Sequence, residues 1–224
     1  MSGPAVAGLE GRLGYVISVP QSWYELELRP GVRDQAIPRL VEERVRGNEE
    51  LWAQRRGIEK LLLEHAARAW DSGATYAAGF SLPTEEGPVT GSLTVTLVED
   101  PAGEVVLAPE ERFRQVPRTG DLLAPYAHTS MVDIPRIGAC PRSSGIDDAP
   151  APDGGLIRHV FMVTAVPVPE HRRTFLISAS SPVLALADAL LDLFDAVTST
   201  FRVVPLDEPS PTTPQEELVD VQAD

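Results

Sequence analysis

The sequence predicts an α+β protein: an antiparallel β-sheet flanked by helices in an α/β/α-type sandwich, followed by an acidic, disordered tail. Three observations predict this class. Short runs of alternating apolar and polar residues recur with turn residues between them, the period of half-buried strands. Two regions, one after the second such run and one near the end, carry the helical period instead. Regular strand-helix-strand alternation is missing, which argues against a doubly wound nucleotide-binding fold.

The elements follow in order. Residues 1–11 are small and weakly patterned and are expected to fray. Leu13, Tyr15, Ile17 and Val19 share one parity, and Pro20 closes that strand. After the turn at Pro20–Trp23, the segment Tyr24–Arg29 alternates apolar and charged residues, as a second strand antiparallel to the first would. Asp34 is expected to cap a helix with Pro38 in its first turn, and Asn48 to cap a longer one beginning at Glu49. Leu51, Ile58, Leu61, Leu62, His65, Ala66 and Ala69 form the stripe of that longer helix, which Gly73 terminates. Strands are then expected at 75–82, 90–98, 105–107, 128–134, 156–167 and 173–180. Between two of them, residues 138–155 are rich in Pro, Gly, Ser and Asp and read as a loop. Ser181 and Pro182 look like the start of the last helix, whose apolar positions run from Val183 to Phe201. One domain at 12–204 and a tail at 205–224 result.

Composition narrows the partners. The chain of 224 residues has a formal net charge of −14 and a sequence pI near 4.7. Six of its 33 acidic residues lie in the tail, and the body still holds 27 against 19 basic residues. Nucleic acids and anionic membranes are poor partners for such a surface, because their binding draws on Lys and Arg neutralising phosphates. Lys60 is the only lysine; Arg, Ala, Pro, Val and Leu dominate, as the GC-rich coding of actinobacteria would produce. The single cysteine, Cys140, excludes an internal disulfide. Neither a secretory leader nor an apolar run of membrane-spanning length is read in the sequence. A cytoplasmic location is expected.

Chemistry is sparsely signalled. There is no GxGxxG, no GxxxxGK[ST] and no GxSxG. His65, His128, His159 and His171 show no metal-ligand spacing, and His128 and Asp133 fall on opposite faces of one predicted strand. Cys140 begins Cys-Pro-Arg-Ser-Ser-Gly, yet a phosphate-binding thiol loop would need arginine where Ile146 stands. Asp147 and Asp148 lie in the expected loop, where adjacent acids are ordinarily solvated rather than fixed for acid-base work. Trp52 and Trp70 read as core anchors, with an aromatic interface as the sharper alternative. Trp23, in its turn, is a position from which a partner could be met.

The opening strand running into Val-Pro-Gln-Ser-Trp-Tyr-Glu-Leu, with Pro20 three residues before Trp23, and the closing helix ending in Thr200-Phe201 resemble the PsbP-like sandwich superfamily, which includes the actinobacterial LpqN-type proteins. The resemblance covers about residues 12–204 in order of elements. It implies a non-enzymatic binding or assembly role and transfers no catalytic residue; no lipidated cysteine stands near the start.

The expectation is therefore a cytoplasmic accessory protein that binds another protein, needs no cofactor or metal, and performs no chemistry. Its candidate contacts are Trp23, Tyr24, Cys140, Arg142, Asp147 and Asp148. Two alternatives are a small-molecule enzyme pairing His128 or His159 with Asp133, and a secretion-linked chaperone for helical export substrates.

Overall fold

Two sheets and three helices make up the computed structural model, which describes residues 5–9, 13–85, 87–99, 128–150 and 154–205. The strand expected at 105–107 and, apart from Pro205, the tail expected at 205–224 lie outside the described residues. The predicted class is observed: a seven-stranded antiparallel sheet carries helices α1 (Arg33–Val45) and α2 (Glu49–Asp71) beside one edge, and helix α3 (Ala187–Thr198) on its other face.

The opening differs from the expectation. Ala5–Leu9 (β1), taken to fray, pairs antiparallel with β2 (Leu13–Ile17). β2 also pairs with β10 (Arg202–Pro205), a strand that was not expected after the closing helix. These three strands form a separate sheet. The expected strand at Tyr24–Arg29 shrinks to β3 (Tyr24–Glu25) and pairs with β4 (Ala74–Leu82), not with β2. The cause is local: Glu27 accepts hydrogen bonds from the Arg29 backbone N–H at 3.0 Å and from its guanidinium at 2.8 and 2.7 Å, a turn that competes with the ladder.

The large sheet runs β3, β4 (Ala74–Leu82), β5 (Val89–Glu99), β9 (Arg173–Ser181), β8 (Leu156–Val168), β7 (Gly138–Pro150), β6 (His128–Ile134). β7 is the main correction, since its turn-forming composition reads as a loop. Its pairing shows how two prolines are accommodated. Gly138–Ser144 pairs with β6 and Arg142–Pro150 with β8, so only Arg142–Ser144 is flanked on both sides. Pro141 and Pro150 both fall outside that doubly paired stretch, where a missing N–H costs the ladder least.

The helices obey their signals in part. Asn48 caps α2, its side chain accepting from Leu51 N at 3.0 Å, and Gly73 follows Ser72 at φ +82°, as a left-handed stop requires. α1 starts one residue before Asp34, with no side-chain cap, so Pro38 falls in the second turn and forgoes one helical hydrogen bond. α3 starts at Ala187 rather than at Ser181, after a single 3₁₀ turn at Leu184–Leu186. Ser181 is held in β9 instead, where its hydroxyl donates to Thr90 O at 2.6 Å and accepts from Val183 N at 3.2 Å.

Two cores result. The larger lies between the sheets and beneath α3, gathering Tyr15, Ile17, Trp23, Phe80, Phe175, Phe194 and Phe201 among others. The smaller lies under α1 and α2, with Leu28, Ile37, Val41, Leu62, Ala66 and Ala77. Tyr15 ties the sheets together: its hydroxyl donates to Thr75 Oγ1 at 2.7 Å, and Thr75 donates to Val95 O at 3.1 Å.

Candidate functional site

The candidate contacts named from sequence divide by depth. Trp23 is only 4% exposed; its turn closes with its N–H on Pro20 O, and its indole packs 4.8 Å from the ring of Phe80. Arg44 of α1 pins this turn by donating to the carbonyls of Ser22 and Trp23 at 3.1 and 2.7 Å. Tyr24 lies half-buried across Gly79, where an added Cβ would come 2.8 Å from the phenol oxygen; burial raises its pKa and Arg44 opposes that. Cys140 is fully buried, and burial pushes its thiol up to about 11. Arg142 is buried as well, donating from Nε to Thr164 Oγ1 at 2.9 Å and pairing with Asp195 of α3. Trp23, Cys140 and Arg142 thus serve the interior and offer almost no surface to a partner of the folded chain.

Asp147 and Asp148 sit on β7 rather than in a loop. Asp148 is gripped by Arg158, directly opposite on β8, through two bonds of 2.8 and 2.9 Å, and the bond from Arg158 lowers its carboxyl pKa. A pair of this kind belongs to the ladder.

The histidines are kept apart by strand parity. His128 registers with Ser144, and Ser144 with the buried Met162, whereas His159 precedes the buried Val160 on β8 and points to the opposite face. Asp133 registers with Ala139, far along β7 from the Asp147 that faces His159. Across two strand spacings and about eight residues of rise, Asp133 and His159 stand roughly 28 Å apart. No hydrogen-bonded His/Asp pair forms from these three residues. Among the described residues no three of His, Cys, Asp and Glu gather as metal ligands would.

Two surface features stand out; the sequence offered the residues of the first as an alternative aromatic interface and gave no sign of the second. The first is one flank of α2, where Trp52 and Trp70 are 41% and 42% exposed. They are eighteen residues apart, five full turns, so they share a direction about 27 Å apart along the helix. The guanidinium of Arg55 lies 4.7 Å from the Trp52 ring centroid. Periodicity places both indoles beside the apolar stripe, but it does not reveal that α2 touches the sheet along a line too narrow to cover them. The second is a groove of about 300 Å³ lined by Ser18, Pro135, Arg136, Ser199, Thr200 and Arg202, residues that come from three separated stretches of chain.

No family model matches the sequence, and no curated protein matches it. Among solved structures, the chain shows a weak likeness in fold to LpqN, described as involved in cell envelope biogenesis of Mycobacterium tuberculosis; identity is 12%, 90% of each chain is covered, and the TM-score is 0.47. A likeness of that size says nothing of what this chain binds.

Proposed function

We propose that the protein is a non-enzymatic accessory factor that binds another protein through the aromatic flank of α2. The observation that carries this reading is the pair of half-exposed indoles, Trp52 and Trp70, on one side of a single rigid helix. Tryptophan is a costly residue to leave in water and is enriched where interfaces concentrate their energy. The negative net charge of the chain favours a partner whose matching surface is apolar at its centre and basic at its rim. The cytoplasmic placement expected from the sequence belongs to the same proposal.

The test is capture by a photo-crosslinking residue placed at Arg56, next to the flank, in cells of the source organism. One partner crosslinked in stoichiometric yield, and reduced at least tenfold when Trp52→Ala and Trp70→Ala are combined, is the expected result. A yield unchanged by the double substitution, or no crosslinked partner, would discard the reading.

A further inference from the structure

The groove has a different character from the flank of α2. Ser18 follows β2, Pro135 and Arg136 form the turn between β6 and β7, Ser199 and Thr200 close α3, and Arg202 opens β10. The wall is rigidly built. Thr200 Oγ1 accepts from Ser18 N at 2.9 Å and donates to Val197 O at 2.7 Å, locking the end of α3 to the end of β2.

Arg136 is out of place as a structural residue. The turn closes with Ile137 N on Ile134 O at 3.0 Å, with Pro135 second and Arg136 third at φ +70°. This is the arrangement of a type II turn, whose third position ordinarily takes glycine because a Cβ is strained there. Strain of this sort, kept at a concave surface, points to a use for the side chain. Arg202, on the other wall, is exposed like Arg136, and among the described residues neither guanidinium has a carboxylate partner.

We propose that this groove binds a small phosphate-bearing ligand, with Arg136 and Arg202 as its two cationic walls and the hydroxyls of Ser18 and Ser199 as further donors. Two planar guanidiniums with hydroxyl donors suit a tetrahedral dianion, which offers three oxygens to several donors at once. The negative end of α3 opposes an anion here, so the two guanidiniums have to outweigh it. The carbonyls of Asp195, Val197 and Thr198 are already taken by the N–H groups of Ser199, Thr200 and Phe201. A groove of about 300 Å³ has room for a phosphomonoester.

Turn strain makes the proposal testable in a way that a merely structural arginine would not satisfy. The full chain is titrated with inorganic phosphate and with phenyl phosphate at constant ionic strength, followed by amide NMR shifts, with glutarate and sulfate as comparison anions. Saturable shifts confined to residues near 18, 136, 199 and 202 are expected, with phosphate and its monoester at least tenfold tighter than glutarate. Arg136→Gly is expected to raise the melting temperature by about 2–4 °C through relief of the turn, and to weaken phosphate binding at least tenfold. Arg202→Gln is expected to weaken binding at unchanged stability. Diffuse or non-saturating shifts, binding retained in both variants, or glutarate binding as tightly as phosphate would each overturn it.

Discussion

Arg142 shows how one residue's contribution depends on where its partner sits. Its side chain is 7% exposed, while that of Asp195 is 54% exposed, so the two ends of the ion pair lie in different media. Removing the acid leaves a guanidinium held in the interior with Thr164 as its one partner among the described residues; removing the arginine leaves a carboxylate that water already reaches. Asp195→Ala is therefore expected to cost about 3 kcal/mol and Arg142→Met about 1 kcal/mol. Urea unfolding of both variants checks the order, and equal costs would contradict it. Nothing in the residue string signals this asymmetry. Arg142 reads there as part of a surface loop, and Asp195 as one more acid on a helix.

Among the elements, α2 is the most faithful to its sequence signals. Asn48 begins it, Gly73 follows it, and Ile58, Leu62, Ala66 and Ala69 meet the sheet as their spacing requires. The cap is a local bond between neighbouring residues, so its worth can be forecast without the rest of the fold. Asn48→Ala is expected to lower stability by about 1 kcal/mol, with Asn48→Ser nearly neutral, as thermal melts would show. Leu51 and Leu61, on the same predicted stripe, are instead 41% and 49% exposed, because the helix lies beside the outermost strands and buries a narrow band. β7 errs in the opposite direction. Its Pro, Gly and Asp content describes a loop, but flanking strands supply hydrogen-bond partners that override local preference.

At the scale of the molecule, the joint between the two sheets carries a pH signature. Tyr15 packs against Phe175 and Phe201 at centroid distances of 5.1 and 5.4 Å, and burial pushes its phenol up to about 12, the bond to Thr75 opposing only in part. Between the unfolded tyrosine value near 10 and that raised value, the unfolded chain binds fewer protons than the folded one. Stability therefore falls as pH rises through this window, and the group contributes no slope below it. Tyr15→Phe is expected to flatten the decline between those pH values, whatever it costs at neutral pH through loss of the Thr75 bond. Unfolding measured at a series of alkaline pH values reads the slope. An unchanged slope would remove Tyr15 as its source.

The sequence by itself determined the fold class, most of the strands of the large sheet, both ends of α2 and the negative charge of the chain. Each of these depends on periodicity, on short-range capping or on counting, all of which act within a few residues. Tertiary structure alone decided that β2 leaves the large sheet to join β1 and β10, that β7 is a strand, that Trp23 and Cys140 turn inward, and that Trp52 and Trp70 stay at the surface. It alone brought Arg136 and Arg202 to one groove across 66 residues of chain. Burial and convergence depend on which distant segments share a strand edge or a helix face, and that pairing is a property of the whole chain's packing rather than of any local pattern.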